Sequence, residues 1–216
     1  QKQFTAQLGH EVIIGSYKGI RPWGFSIGNS KIKEGPLDTS NASFSSLKIQ
    51  FAPIASVFNW RPVLVLTPKD TKLSLNSNKE GNYWVLGPSG EGSPPNLDLR
   101  FRFDSSSKIF IDSISESIKP KADVYLRLPE RKISGALSLL FPDEGSISLK
   151  GYSFLDKFDF KGGLLVNNLD LINFQAKFFR KLNFITNGTV NGRLKVGVNS
   201  TNFSCNGGVY LKNLAL

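Results

Sequence analysis

Strict alternation of apolar and polar side chains constrains this chain more than any other feature. Across 97–104, Leu97, Leu99, Phe101 and Phe103 alternate with Asp98, Arg100, Arg102 and Asp104. A period of two puts one set on each face of a β-strand and cannot make a one-sided helix. The pattern returns in Ala122, Val124, Leu126 and Leu128 against Asp123, Tyr125 and Arg127, then in Ile133, Leu137 and Leu139 against Ser134, Ala136 and Ser138. Ile147 and Leu149 follow, then Phe158 and Phe160, Leu164 and Val166, and a segment carrying Phe174, Ala176 and Phe178. Val190, Leu194, Val196 and Val198 form another set, and Phe203, Cys205, Val209 and Leu211 the last. The expected fold is mainly β, an antiparallel meander with one apolar face and no helix after residue 97.

Punctuation and composition agree. Pro129-Glu130-Arg131 and Pro142-Asp143-Glu144-Gly145 read as hairpin connections; Asn187-Gly188 and Asn206-Gly207 offer left-handed turn geometry, the second alternatively a bulge. The 17 Phe and 20 Gly suit strands and turns better than helices. In the first third, strands are expected over 12–17, 23–27, 44–51, 63–66 and 72–75. A single short helix is expected over 53–60, with Ile54, Val57 and Phe58 on one stripe. The stretch 87–95 (GPSGEGSPP) is a linker by composition. It separates an N-terminal module, 1–86, from a repetitive amphipathic segment, 96–216.

Chemistry finds little purchase. One His and one Cys among 216 residues leave no multi-histidine or Cys/His metal set, so no metal and no cofactor are expected. His10 follows Gly9 in an expected turn, and no G-x-S-x-G elbow offers a serine nucleophile. Gly87, Gly90 and Gly92 lack the helix a phosphate loop needs. The pairs Asp143/Glu144 and Asp156/Asp159 fall at turns, where carboxylates are solvated. Cys205 lies on an apolar face, where a thiol serves as a small hydrophobe. A non-enzymatic protein is expected.

The formal net charge is +10, with 27 Lys+Arg against 17 Asp+Glu. The basic residues are spread over nearly every strand and turn without a block of five or six, and the aromatics fall with the apolar set rather than among them, unlike a nucleic-acid stacking platform. A solvated outer face accounts for them, and a weak attraction to anionic lipid headgroups is compatible. No apolar run reaches the roughly 18 residues of a membrane helix. The start at Gln1 without Met suggests a piece of something longer, with any anchor outside it.

The apolar face must be covered by something: a second sheet, closure into a barrel, or, in an open curled sheet, a non-protein occupant such as acyl chains. Such a groove would be lined by Phe101, Phe103, Val124, Leu126, Leu137, Leu139, Ile147, Leu149, Phe158, Phe160, Leu164, Val166, Phe174, Phe178, Leu194, Val196, Val209 and Leu211. A transmembrane β-barrel with its apolar face outward is the competing reading from alternation alone.

The N-terminal third adds a resemblance. Leu8-Gly9-His10-Glu11-Val12-Ile13-Ile14-Gly15, the 23–27 strand and the 43–51 strand running into Ala52-Pro53-Ile54-Ala55-Ser56-Val57 precede Arg61-Pro62-Val63-Leu64-Val65-Leu66-Thr67-Pro68 and Glu80-Gly81-Asn82-Tyr83-Trp84. This series resembles the TamB family within the AsmA-like group, particularly cyanobacterial members and a plastid inner-envelope relative. The resemblance implies a taco-shaped β groove on a protein anchored in the inner membrane and crossing the periplasm, or the plastid intermembrane space. It implies conduction of phospholipids between membranes. The alternative it carries is a scaffold joining the anchor to a BamA-like outer-membrane barrel. Implied partners are phospholipid acyl chains and such a barrel, with no nucleic acid.

Overall fold

The computed structural model describes residues 10–35, 38–78, 95–103, 106–111, 118–154, 159–178, 187–199 and 201–215, with backbone only for 175–178 and 215. In chain order they form β1 (Val12–Ile13), β2 (Tyr17–Arg21), β3 (Gly24–Ile27), β4 (Ser30–Ile32), β5 (Asn41–Phe44), β6 (Ser46–Phe51), α1 (Pro53–Asn59), β7 (Val63–Lys69) and β8 (Lys72–Leu75). There follow β9 (Asp98–Phe103), β10 (Lys108–Ile111), β11 (Lys119–Arg127), β12 (Lys132–Leu140), β13 (Ser146–Phe154), β14 (Asp159–Asp170), α2 (Leu171–Phe178), β15 (Asn187–Val198) and β16 (Phe203–Ala215).

The protein is mainly β, as alternation dictates. An eleven-stranded sheet runs β16-β15-β14-β13-β12-β11-β9-β7-β6-β3-β2, and a five-stranded sheet runs β1-β4-β5-β8-β10. From β9 through β16 every pairing is antiparallel, while β7 with β9 and β8 with β10 are parallel. The large sheet ends at β2 and β16, so the described residues form no closed barrel.

The two sheets are one set of strands folded across a crease. Each small-sheet strand adjoins in the chain a strand of the large sheet, and the neighbours match: β1 with β2, β4 with β3, β5 with β6, β8 with β7, and β10 with β9. The corners are short, namely Gly28-Asn29, Ser45 and Asp70-Thr71, and they bond one another. Gly28 N–H donates to Ser16 O at 2.7 Å, Ser45 Oγ donates to Asp70 Oδ2 at 2.8 Å, and Lys108 N–H donates to Thr71 O at 2.7 Å. Asp70 takes φ 49°, a left-handed conformation that Asp tolerates.

The crease corrects two expected strands. The 12–17 stretch splits into β1 and β2, and 44–51 splits at Ser45, each half in a different sheet. Pro68 lies within β7, opposite Leu47; the pairing of β7 with β9 stops at Leu66, so the absent N–H breaks no bond to β9.

The main buried cluster sits at the end of the large sheet farthest from α1. Ile118, Phe141 and Leu169 pack there with Ile109, Ile111, Leu139, Ile147, Val166, Phe174 and Val190. Phe174 belongs to α2, which corrects both the strand expected to carry Phe174, Ala176 and Phe178 and the absence of any helix after 97. Leu171, Phe174 and Phe178 also fit a helical spacing. Asp170 starts the helix by accepting the Asn173 N–H at 3.0 Å, and the Phe174 ring meets Phe141 edge-on at 6.4 Å.

Other expectations shift locally. Asn187-Gly188 lies inside β15 at a register irregularity, not in a turn, and Asn206-Gly207 runs through β16 with unbroken register. The hairpins at 129–131 and 142–145 form as expected, with Arg131 at φ 47° and Glu144 at φ 65°. The linker proper, 87–94, and the Gly81–Trp84 motif lie outside the described residues.

Candidate functional site: an uncovered apolar face

Register decides which side chains share a face, because directly paired residues point the same way. One row across the large sheet runs Phe103, Ala122, Leu137, Leu149, Leu164, Leu194 and Gly207. The next is Phe25, Ile49, Leu66, Phe101, Val124, Gly135, Gly151, Gly162, Val196 and Cys205. Flanking rows hold Leu99, Leu126, Ile133 and Phe160 on one side, and Leu139, Ile147, Val166 and Val209 on the other. Leu211 stands opposite Val190.

The registers therefore bring all of the sequence-expected lining residues except Phe158, Phe174 and Phe178 onto one face. Phe158 lies outside the described residues, and only the backbone of Phe178 is described. Phe174 packs in the terminal cluster, and Leu139, Ile147 and Val166 contact that cluster as well. Leu99 lies on the face with Phe101 and Phe103, as their shared alternation implies, while Phe25, Ile49 and Leu66 join it without having been expected there. Alternation around Leu64 and Leu66 was a usable signal for them.

No second protein layer seals the middle of this face among the described residues. Leu137, Leu149, Leu164 and Leu194 all keep partial exposure, as do Ser138 and Ser148 on the opposite face. Within a β-sandwich, inward residues at these positions would be fully buried while outward ones were wet. Of the row, only Ala122 is buried.

Three glycines, Gly135, Gly151 and Gly162, stand side by side on β12, β13 and β14. A Cβ on Gly151 would lie 2.4 Å from Lys161 O, and one on Gly162 2.5 Å from Lys150 O, so the backbones approach more closely than any side chain allows. The Phe160 ring covers both, with atoms 3.0 Å and 2.6 Å from those two Cβ positions. Beside the ring lies an open cavity of about 180 Å³, walled by Val124, Ile133, Leu137 and Leu149 and floored by Gly135 and Gly151. Glycine carries no hydropathy signal, which is why this floor escapes a reading by apolar pattern.

The opposite face is more polar, mixing Arg, Lys, Asp and Ser side chains with Leu165, Tyr125, Tyr152 and Phe154. Arg100 donates to both oxygens of Asp123 at 2.7 and 2.6 Å, with Arg102 Nε 3.5 Å from Oδ2. The Arg100 hydrogen bonds, opposed by some desolvation, hold the Asp123 carboxyl below its ordinary range. Lys132 lies over the Tyr152 and Phe154 rings at 4.8 and 5.5 Å.

Two polar clusters brace the structure. At the α1 end, buried Asp98 accepts from Arg61 Nε at 3.1 Å and from Tyr125 Oη at 2.9 Å. Arg61 reaches on to Glu130 at 2.6 Å, and that hydrogen bond lowers the Glu130 pKa. Desolvation first, then the Asp98 hydrogen bond, raises the Tyr125 phenol. In the small-sheet region His10 is buried rather than in an open turn, with Nδ1 2.9 Å from Lys33 O and Nε2 3.3 Å from buried Asp38. Cys205, expected on the apolar face as a small hydrophobe, stands on that face opposite Val196 but is exposed, on the edge strand β16.

Among the described residues no three His, Cys, Asp or Glu side chains gather into a set that could hold a metal ion. Asp143 lies 3.4 Å from the Asn173 side-chain amide, and Asp156 falls outside the described residues. No helix among the described residues is long and apolar enough to cross a membrane. No family model, curated protein or solved structure matches the chain.

Proposed function

We propose that this chain is a segment of an envelope-spanning bridge that holds phospholipids by their acyl chains along the apolar face of the large sheet and lets them pass between two membranes. One observation carries the reading: the Leu137–Leu149–Leu164–Leu194 row is continuous over four strands and, among the described residues, no protein layer seals it. Apolar surface of this extent favours removal from water by about 25 cal/mol per Å². Hydrocarbon chains supply that cover without needing hydrogen-bond partners, and headgroups can project into solvent past the rim. The crease between the two sheets gives the face a second flank, which suits a trough or taco cross-section. The resemblance of the N-terminal third to the TamB family supports the same reading, with the periplasm or the plastid intermembrane space as the proposed location.

No bond is made or broken in this function. Lipid moves because successive rows offer nearly the same apolar environment, so no step along the face is steeply uphill. Native mass spectrometry of the purified chain, with transfer of fluorescent phospholipid between vesicles, tests it. Co-purifying or exchangeable phospholipid is the expected result. A delipidated protein that neither takes up nor transfers the probe overturns the proposal.

A specific observation favours a second reading. Strand β16 is thirteen residues long, forms one edge of the large sheet, and is exposed wherever its side chains are described. Such an edge can accept a partner's strand, as a connector to a BamA-like barrel would require. A polar side chain in the Leu149 row separates the two, since it blocks a conduit and leaves a connector intact.

A further inference from the structure

We infer that the α1 end of the large sheet docks onto the surface of an anionic lipid bilayer. The inference concerns the outside of one end of the molecule and does not depend on the apolar face holding lipid. Helix α1 is seven residues long, buries no residue and carries no charge, and its apolar side chains point outward. Phe58 is 80% exposed and Trp60, just past the helix, is 91% exposed, with Ile54 and Val57 close behind. The β2–β3 turn presents Trp23, 65% exposed, whose ring lies 6.4 Å from that of Phe51 at the foot of α1.

These side chains share one end of the sheet. The β2–β3 turn, the β6–α1–β7 connection and the β11–β12 turn lie together, because β3 pairs antiparallel with β6, β6 with β7 and β9 with β11, while β7 and β9 are parallel. The 2.6 Å contact from Arg61 to Glu130 confirms it. Trp23, Ile54 and Phe58 project from the sheet, while Phe51, Val57 and Trp60 line a shallow, open apolar depression beside α1, a surface with apolar side chains for a soft interface to take up.

Charge selects the occupant. On this end the described acidic groups are engaged: Asp98 is buried against Arg61, Glu130 pairs with Arg61 and Arg127, and Asp159 lies 3.6 Å from Lys161. Arg21 and Arg131 form no ion pair among the described residues and flank the aromatic cap at neighbouring turns. Indole rings at the level of the headgroups, an aliphatic and phenyl ridge just below them and guanidinium groups at the rim match an anionic membrane surface. A second copy of this chain would set the same positive rim against itself.

Flotation with phosphatidylcholine vesicles, with and without phosphatidylglycerol, tests the inference, with tryptophan emission as a second readout. The wild type is expected to float with phosphatidylglycerol vesicles, to shift its emission to the blue, and to lose binding as salt rises. The variant Val57→Ser/Phe58→Ser/Trp60→Asn removes exposed groups only and should keep the wild-type circular dichroism while losing about tenfold or more in partitioning. Arg21→Ala/Arg131→Ala should lower binding and flatten its dependence on phosphatidylglycerol. Loading with monomeric short-chain fluorescent phospholipid, without vesicles, should be unchanged in both variants. Binding that ignores phosphatidylglycerol, binding retained by the triple variant, or a dimer that the triple variant dissolves while vesicles are ignored, each overturns the inference.

Discussion

Replacing Leu149 by Asp separates an open apolar face from a sealed core by the size of the stability loss. Leu149 sits between Leu137 and Leu164 in the central row and keeps partial exposure. Losing its apolar contacts costs about 2 kcal/mol, and placing Asp in a strand adds up to about 1 kcal/mol. The new carboxylate meets water on the uncovered side, so no charge-burial penalty follows, and the total is about 3 kcal/mol. Beneath a second protein layer the truncation alone would cost about 2–5 kcal/mol and the buried carboxylate several more, enough to unfold a domain stable by about 5–15 kcal/mol. Urea unfolding followed by tryptophan fluorescence measures the loss, and uptake of fluorescent phospholipid measures occupancy. The expected variant is folded and poor in lipid, whereas Ser148→Asp on the opposite face loses little of either. A Leu149→Asp protein that is unfolded at neutral pH, or that is folded and loads lipid like the wild type, would refute the reasoning.

Asp98→Ala should cost about 3 kcal/mol, the low end for breaking a buried ion pair because Arg61 keeps Glu130; a urea-unfolding loss under about 1 kcal/mol would show that the cluster holds little. Asp123 and Glu130 both have lowered pKa values, so their stabilisation is fully present above the ordinary carboxylate range near pH 4 and fades as pH falls through the folded-state values. Acid unfolding of Asp123→Asn should therefore be less steep than wild type in that window, and identical acid limbs would rule the linkage out. Phe160→Ala uncovers Gly151 and Gly162 and should lower stability by about 2–3 kcal/mol, less than a sealed-core phenylalanine, while widening the cavity for apolar probes; an unchanged denaturation midpoint would mean the ring does not brace the strands.

The meander from β11 to β14 was readable because each strand carries an apolar set in period two, broken only at the register shift between Val166 and Leu169 in β14. The crease was readable only in a subtler way. Ala42 and Phe44 share a face in β5, while Leu47, Ile49 and Phe51 do so in β6, so the alternation slips by one residue at Ser45. It slips again between Leu66 in β7 and Leu73 in β8, across Asp70 and Thr71. The phase shifts at these corners because the residues there leave the ladder of either sheet, and a search for alternation alone bridges the slip. Helix α2 was misread because Phe174, Ala176 and Phe178 satisfy period two as well as Leu171, Phe174 and Phe178 satisfy a helix; Asp170 as a cap was the deciding residue. The brace around Asp98 draws on residues 61, 98, 125 and 130, distant in sequence, and no local pattern announces it.

The two parallel pairings have a mechanical consequence. The chain leaves β8 at Leu75, returns at Asp98, and then runs alongside its earlier course in the same direction, β9 against β7 and β10 against β8. Those two seams stitch the stretches before and after residues 79–94 together without help from the covalent link. A protease nick inside 79–94 should therefore leave a two-chain molecule that migrates as one body until denaturant opens both seams. The same two pieces, expressed separately and mixed, should find each other and restore the native circular dichroism.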